Sequence, residues 1–384
     1  MRLDKLSISF CVLSSASLSL GQHATLRATS VSHSMQFFQG KAWELLTRTM
    51  EQDRFTPCKG VIYQRESLNS DSVLQLWAEQ SSDGRLKLTV LSPLSKQGVT
   101  NIDDGRQWMT YLPDENKVIL QPSPRQDVQS PRDRLKIAQK NYSLAVKSGD
   151  HQVAGRSVYC VTATSRFPEM PARRYCIDKK KPFLLRMEVL TNSGAKVMLD
   201  TKEVEYPNYV PAEDFDLEPR DRTKLFTFNA PARMPLGRNA KNIVGFKPLV
   251  PSSLPFGFEV EQPQLGGSPK KRFVAVRITD GLVNATVYEW NKAKDVKRFG
   301  KEQSADRQHK NVGFRLVGEV PEAVMVKLLD AFMREAIKNL EPLSVEDLTP
   351  ETLDVIKALN SAKVEVGTDV PEQGAVYALI EIED

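Results

Sequence analysis

Histidine and cysteine are scarce in this chain of 384 residues, with four of each. His23, His33, His151 and His309 are scattered, and none stands at metal-ligand spacing from another histidine or a cysteine. A Gly-x-Ser-x-Gly elbow is missing, and "QLGGSPKK" is too short for a phosphate cradle and reads as a hairpin loop. The paired acids Asp103 and Asp104 sit in a turn, where bonding to the local backbone accounts for them. With no nucleophile-base pair or metal cluster to assemble, no enzyme, metal or cofactor is expected. Charge of one sign is lacking too. The formal charge of +5 is dispersed, which argues against the clustered basic face that nucleic acid requires. Beyond the N-terminus no apolar run approaches the roughly 18 residues of a membrane span.

What is present begins at that N-terminus. "MRLDKLSISFCVLSSASLSLGQHA" carries Arg2 and Lys5, an apolar and serine-rich run, and small Ser19 and Gly21 before a mature start near Gln22. It reads as a cleaved signal peptide over residues 1–21; a buried helix would show the amphipathic spacing that this run lacks. The expected location is therefore periplasmic or otherwise extracytoplasmic. Cys11 would leave with the signal, and Cys58, Cys160 and Cys176 would remain.

A chain of this length exceeds one hydrophobic core, so two domains are expected. "MQFFQGKAWELLTRTMEQ" spaces Phe38, Ala42, Leu45, Leu46 and Met50 as an amphipathic helix. Short alternating segments follow, "GVIYQRE", "SVLQLWAEQ", "GRLKLTVLS", "RQWMTYLP" and "NKVILQP", separated by Asn, Asp, Ser and Gly turns: an antiparallel meander. The basic patch "QPSPRQDVQSPRDRLKIAQKNY" reads as a loop with a short helix and a solvated face, after which strands resume as far as "KVMLDTKEVEYP". Prolines between Pro211 and Pro248 mark a linker. Beyond it come further strands. In "PEAVMVKLLDAFMREAIKNL", Val324, Leu328, Leu329, Phe332, Met333 and Ile337 form one apolar helical stripe, with Pro321 suited to its first turn. The expected domains are 22–210, a linker at 211–245, a smaller α+β domain at 246–341, and an acidic C-terminal extension at 342–384.

Two sets of residues invite a site. Cys160 and Cys176 flank the turn "SRFPEMPAR"; a hairpin symmetric about Pro168 sets them directly opposite one another, within reach of a disulfide if the chain is exported. Tyr159, Val161, Tyr175 and Ile177 then share the other face. A reactive thiol pair is disfavoured, because no histidine, helix start or Cys-x-x-Cys spacing would lower either pKa. Cys58 has no partner nearby in sequence. Alternation puts Leu74, Leu76, Leu88, Val90, Met109, Tyr111, Val118 and Leu120 on apolar faces that could line a ligand cavity or simply form core.

Taken in order, "FTPCKGVIYQRE", "DGRQWMTYLPDENKVIL", "YSLAVKSGDHQVAGRSVYCVT", "RRYCIDKKKPFLLRMEVLTNSGAKV", "VPSSLPFGFEV" and "ITDGLVNATVYE" resemble the RseB/MucB family of sigma factor regulators in the envelope stress response. The first part is also similar to the lipoprotein carriers LolA and LolB. The resemblance implies a mainly antiparallel α+β protein: an unclosed, LolA-like β-barrel covered by helices, and a smaller C-terminal domain. It also implies lipid binding, of lipid or lipoprotein acyl chains, in an apolar cavity, and anti-sigma factor binding to the extracytoplasmic domain of a membrane protein. The chain itself would not be an integral membrane protein. The alternative reading is a lipoprotein or lipid carrier. The paired cysteines and the acidic extension depart from the regulators.

Overall fold

The computed structural model describes residues 32–123, 130–217, 221–227, 234–235, 240–261, 263–268, 271–291, 304–309 and 311–338. The expected leader at 1–21 and the expected extension at 342–384 lie outside them.

Twelve strands form the larger sheet: β1 Cys58–Arg65, β2 Val73–Gln80, β3 Leu86–Ser92, β4 Thr100–Asp103, β5 Gln107–Leu112, β6 Lys117–Pro122, β7 Tyr142–Val153, β8 Arg156–Ser165, β9 Ala172–Asp178, β10 Leu184–Thr191, β11 Gly194–Glu205 and β12 Lys224–Thr227. Their spatial order is β12-β6-β5-β4-β3-β2-β1-β11-β10-β9-β8-β7. Two meanders therefore meet where β1 pairs with β11, and the two ends of the sheet, β12 and β7, stay apart. The sheet is antiparallel and unclosed, except that β12 lies parallel to β6. The turns explain the hairpins. At "VAGR", Val153 pairs with Arg156, and the two residues between them, Ala154 and Gly155, have φ of 51° and 68°. That two-residue turn carries the twist a hairpin needs, and it requires positive φ at both positions.

Helix α1, Ser32–Gln52, and helix α2, Pro131–Asn141, lie on one face of this sheet. Ser130 caps α2 by accepting the Asp133 amide, and Pro131 opens it where no N–H is needed. Ala42 and Leu46 of α1 and Leu135 and Ala138 of α2 pack with Val161, Tyr175, Ile177, Met187 and Val189 of the strands. Burying these side chains is the main force holding helices to sheet.

The smaller sheet comprises β13 Met234–Pro235, β14 Glu259–Val260, β15 Gln264–Ser268, β16 Lys271–Thr279, β17 Asn284–Asn291, β18 Ser304–His309 and β19 Val312–Gly318. It runs β13-β15-β16-β17-β19-β18, with β14 also on β16. A short helix, α3 Ala240–Val244, lies between β13 and β14, and α4, Glu322–Lys338, covers the sheet. Val324, Leu328, Leu329 and Phe332 of the apolar stripe pack on Val274, Val276, Ile278, Val287, Phe314 and Leu316. The Pro321 carbonyl accepts the Val324 and Met325 amides, so the proline opens the helix.

The proline-rich stretch after Pro211 contains strands that its composition does not reveal. It gives β12 to the edge of the larger sheet and β13 to the edge of the smaller one. Segments of two and four residues are too short to show alternation.

A buried seam joins the sheets. The turn Asp280–Gly281–Leu282 between β16 and β17 reaches the larger sheet's core, where Leu282 packs with the α1 and α2 residues. In return Met170, from the β8–β9 turn, is buried in the smaller sheet's core, with Phe167 edge-on to Phe256. Tyr142 Oη donates to Asp280 Oδ2 at 2.5 Å, and Asn141 Nδ2 donates to the carbonyls of Gly257 and Asp280 at 2.8 and 2.9 Å. Arg134 and Arg173 are buried beside them, and burial pulls both guanidinium pKa values down. Arg134 corrects the reading of its patch as wholly solvated: Arg132 and Lys136 face solvent, while Arg134 faces the seam.

Candidate functional site

The eight residues predicted to line a cavity do not share one face. Leu76 pairs with Val90, and Leu88 with Asn101, Asn101 with Thr110, and Thr110 with Ile119. Directly opposed residues share a face, and successive residues alternate. Leu74, Leu76, Leu88 and Val90 therefore stand together, packed with Ala78, Val99 and Leu112 and flanked by Ile62, Leu86 and Ile119. This is the face that α1 and α2 cover further along, because Leu74 pairs with Gln64, Gln64 with Leu199, and Leu199 with Met187 beneath the helices.

Met109, Tyr111, Val118 and Leu120 lie across the sheet. Met109 pairs with Leu120 and Tyr111 with Val118. Met109 packs with Ile102, Val210, Phe215 and Leu217 under a single helical turn, Ala212–Phe215. Three basic residues clamp that turn. Lys59 Nζ donates to Asp214 Oδ2 at 2.6 Å, Lys87 Nζ donates to the Asp214 carbonyl at 2.6 Å, and Arg85 lies over the Phe215 ring. The bond to Asp214 holds the Lys59 ammonium above the usual lysine range. This part of the opposite face is thus filled by the chain itself.

Sequence reasoning missed a polar chain within the helix-side face. Trp108 Nε1 donates to Thr110 Oγ1 at 3.0 Å, and Thr110 Oγ1 is 2.8 Å from Asn101 Oδ1, while Asn101 is 1% exposed. The strand spacing of Trp108, Thr110 and Leu112 was a signal for this face, but "WMTYL" is apolar on both sides and the alternate set Met109 and Tyr111 is equally plausible.

Cys160 and Cys176 are directly opposed in β8 and β9 and form a disulfide, with Cα atoms 4.1 Å apart. Tyr159 opposes Ile177 and Val161 opposes Tyr175, so those four share the other face. The disulfide packs with Val153, Val158 and Leu185, on the side away from the helices. Cys58 is a buried free thiol, pushed far up by burial and by the Asp53 carboxylate. Among the described residues no group of three His, Cys, Asp or Glu is placed to hold a metal ion, and no helix is long and apolar enough to cross a membrane.

No protein-family model and no curated protein sequence matches the chain. Solved structures do. A crystal structure of MucB covers 76% of this chain and 97% of its own, at 17% identity and a TM-score of 0.50. MucB in the Pseudomonas aeruginosa MucA/MucB complex covers 75% and 96%, at 17% identity and a TM-score of 0.51. A LolA superfamily protein from Nitrosomonas europaea overlaps 46% of this chain at 11% identity, with a TM-score of 0.23. Over three quarters of its length, this chain has the fold of MucB.

Proposed function

We propose that the chain is an exported regulator of the MucB type. It grips the extracytoplasmic segment of a membrane-anchored anti-sigma factor, and a lipid or lipoprotein acyl chain received on the helix-side face loosens that grip. The observation that carries this reading is the likeness to MucB along nearly the whole of that protein, in a structure that also holds MucA. The basic, apolar leader and a disulfide of the kind that persists in oxidising compartments support the extracytoplasmic location. In this reading the domains at 22–210 and 246–341 act together across the stretch at 211–245.

Leu74, Leu76, Leu88 and Val90 are the proposed acyl-facing residues. They form one contiguous apolar cluster, buried beside the helices, whereas the cluster around Met109 is completed by Val210 and Phe215 of the chain itself. An acyl chain inserted among them gains free energy from its own apolar area removed from water, at about 25 cal/mol per Å². The smaller sheet senses the event through the seam, because Leu282 shares the core of α1 and α2.

The test is affinity capture from detergent-solubilised envelopes with the chain as bait, followed by mass spectrometry of bound proteins and lipids. Enrichment of a single-pass membrane protein with a cytoplasmic sigma-binding domain is the expected result. Recovery of lipids or lipoproteins without such a protein would replace the regulator with a carrier.

A further inference from the structure

Asn101 holds an unusual position on the helix-side face. Its neighbours along the row are Leu88 and Ile119, with Thr110 between Asn101 and Ile119, and the adjacent residues on the same face include Val99, Val90 and Leu112. Its amide orientation follows from the polar chain beside it. The indole N–H of Trp108 can only donate, so the Thr110 hydroxyl accepts it and donates its own hydrogen to Asn101 Oδ1. The amide nitrogen Nδ2 then carries two hydrogens, is buried, and has no hydrogen-bond partner.

A buried donor without an acceptor is destabilising, and native proteins seldom retain one without a use. The Trp108–Thr110–Asn101 chain makes it a stronger donor, because each bond polarises the next. A polar group fixed in an apolar wall is the feature that orients a mostly apolar ligand.

We propose that Asn101 Nδ2 is the polar anchor of the acyl-binding face, donating to the ester or amide carbonyl of an acylated ligand while Leu74, Leu76, Leu88 and Val90 cover its hydrocarbon. Thr110 is the positioning residue that turns the amide. This inference rests on the acyl-binding reading above and adds the ligand's chemistry: a carbonyl at the head of the chain, as acylated glycerol and acylated protein both possess.

The experiment compares two probes that differ in that carbonyl alone, 1-monopalmitin and its ether analogue 1-O-hexadecylglycerol, each displacing N-phenyl-1-naphthylamine fluorescence from the purified chain. The ester is expected to bind roughly tenfold more tightly, the worth of one well-placed buried hydrogen bond. Asn101→Leu should remove the preference by weakening ester binding and leaving ether binding unchanged. Thr110→Val, which keeps Asn101 but frees its amide to turn, should reduce the preference and serves alone if the first variant does not fold. Equal binding of both probes by the parent chain, or a preference that survives in the variants, would overturn the anchor and leave the acyl-binding reading intact. Binding of neither probe would overturn both.

Discussion

Two hairpin turns that each contain a glycine have opposite surroundings. "AGR" between β7 and β8 and "DGL" between β16 and β17 each place a glycine at positive φ, 68° at Gly155 and 97° at Gly281. A Cβ added at Gly155 would meet nothing within 4 Å, whereas one at Gly281 would lie 2.2 Å from the Ala138 amide nitrogen and 2.5 Å from the Arg134 carbonyl oxygen. The first turn serves its own hairpin. The second is pressed against α2 and holds two sheets together, so a glycine turn is a fold detail in one place and a joint in the other.

Four substitutions or titrations would break or sharpen that contrast. The largest effect is expected for Gly281→Val, which combines a backbone clash with a conformation that branched residues avoid; it should lower stability by more than about 3 kcal/mol in urea denaturation. A loss similar to that of the Gly155 variant would mean that the seam yields easily.

The smaller sheet should also carry a pH signature. Burial pushes the carboxyl of Glu289 in β17 up to about 8, although its Oε2 accepts the Leu249 amide at 2.9 Å. The folded state therefore binds the proton more tightly than the unfolded state. The stability this contributes is complete below the unfolded value of about 4.5 and is lost as pH rises through about 8. Denaturation midpoints on either side of that window should show the fall, and Glu289→Gln should flatten it.

On the local side, replacing Cys160 and Cys176 together with alanine opens a loop of sequence separation 16 and should reduce stability by about 3 kcal/mol. A reducing agent should reproduce the loss in the parent chain and do nothing to the variant. The smallest effect belongs to Gly155→Ala, about 1 kcal/mol, since only the backbone angle resists the methyl group. Thermal melting of the two glycine variants side by side is the check.

The same division governs what could be read in the sequence. The Cys160–Cys176 register, the strand meander and the stripe from Val324 to Phe332 all rest on residues close together in the chain, and local pattern reveals them. The candidate face was half legible. Leu74, Leu76, Leu88 and Val90 belong to hairpin strands with a clear apolar side, but β5 and β6 are apolar on both sides, which left Met109, Tyr111, Val118 and Leu120 on the wrong side to join them. Asn101 carries no local pattern that marks it, because its partner Thr110 lies on the next strand. Arg134 read as surface charge because the turn at Gly281 that packs against its helix is more than a hundred residues away, and the buried Arg173 likewise donates its Nη2 to the distant Glu319 carbonyl at 3.3 Å.

The regulator account depends on one coupling: a ligand on the larger sheet must change the affinity for the membrane partner. Isothermal titration of the captured protein's extracytoplasmic segment into the chain, with and without saturating 1-monopalmitin, measures it directly. The account predicts weaker binding of the segment by at least severalfold when the lipid is present. Equal affinity in both titrations would contradict it.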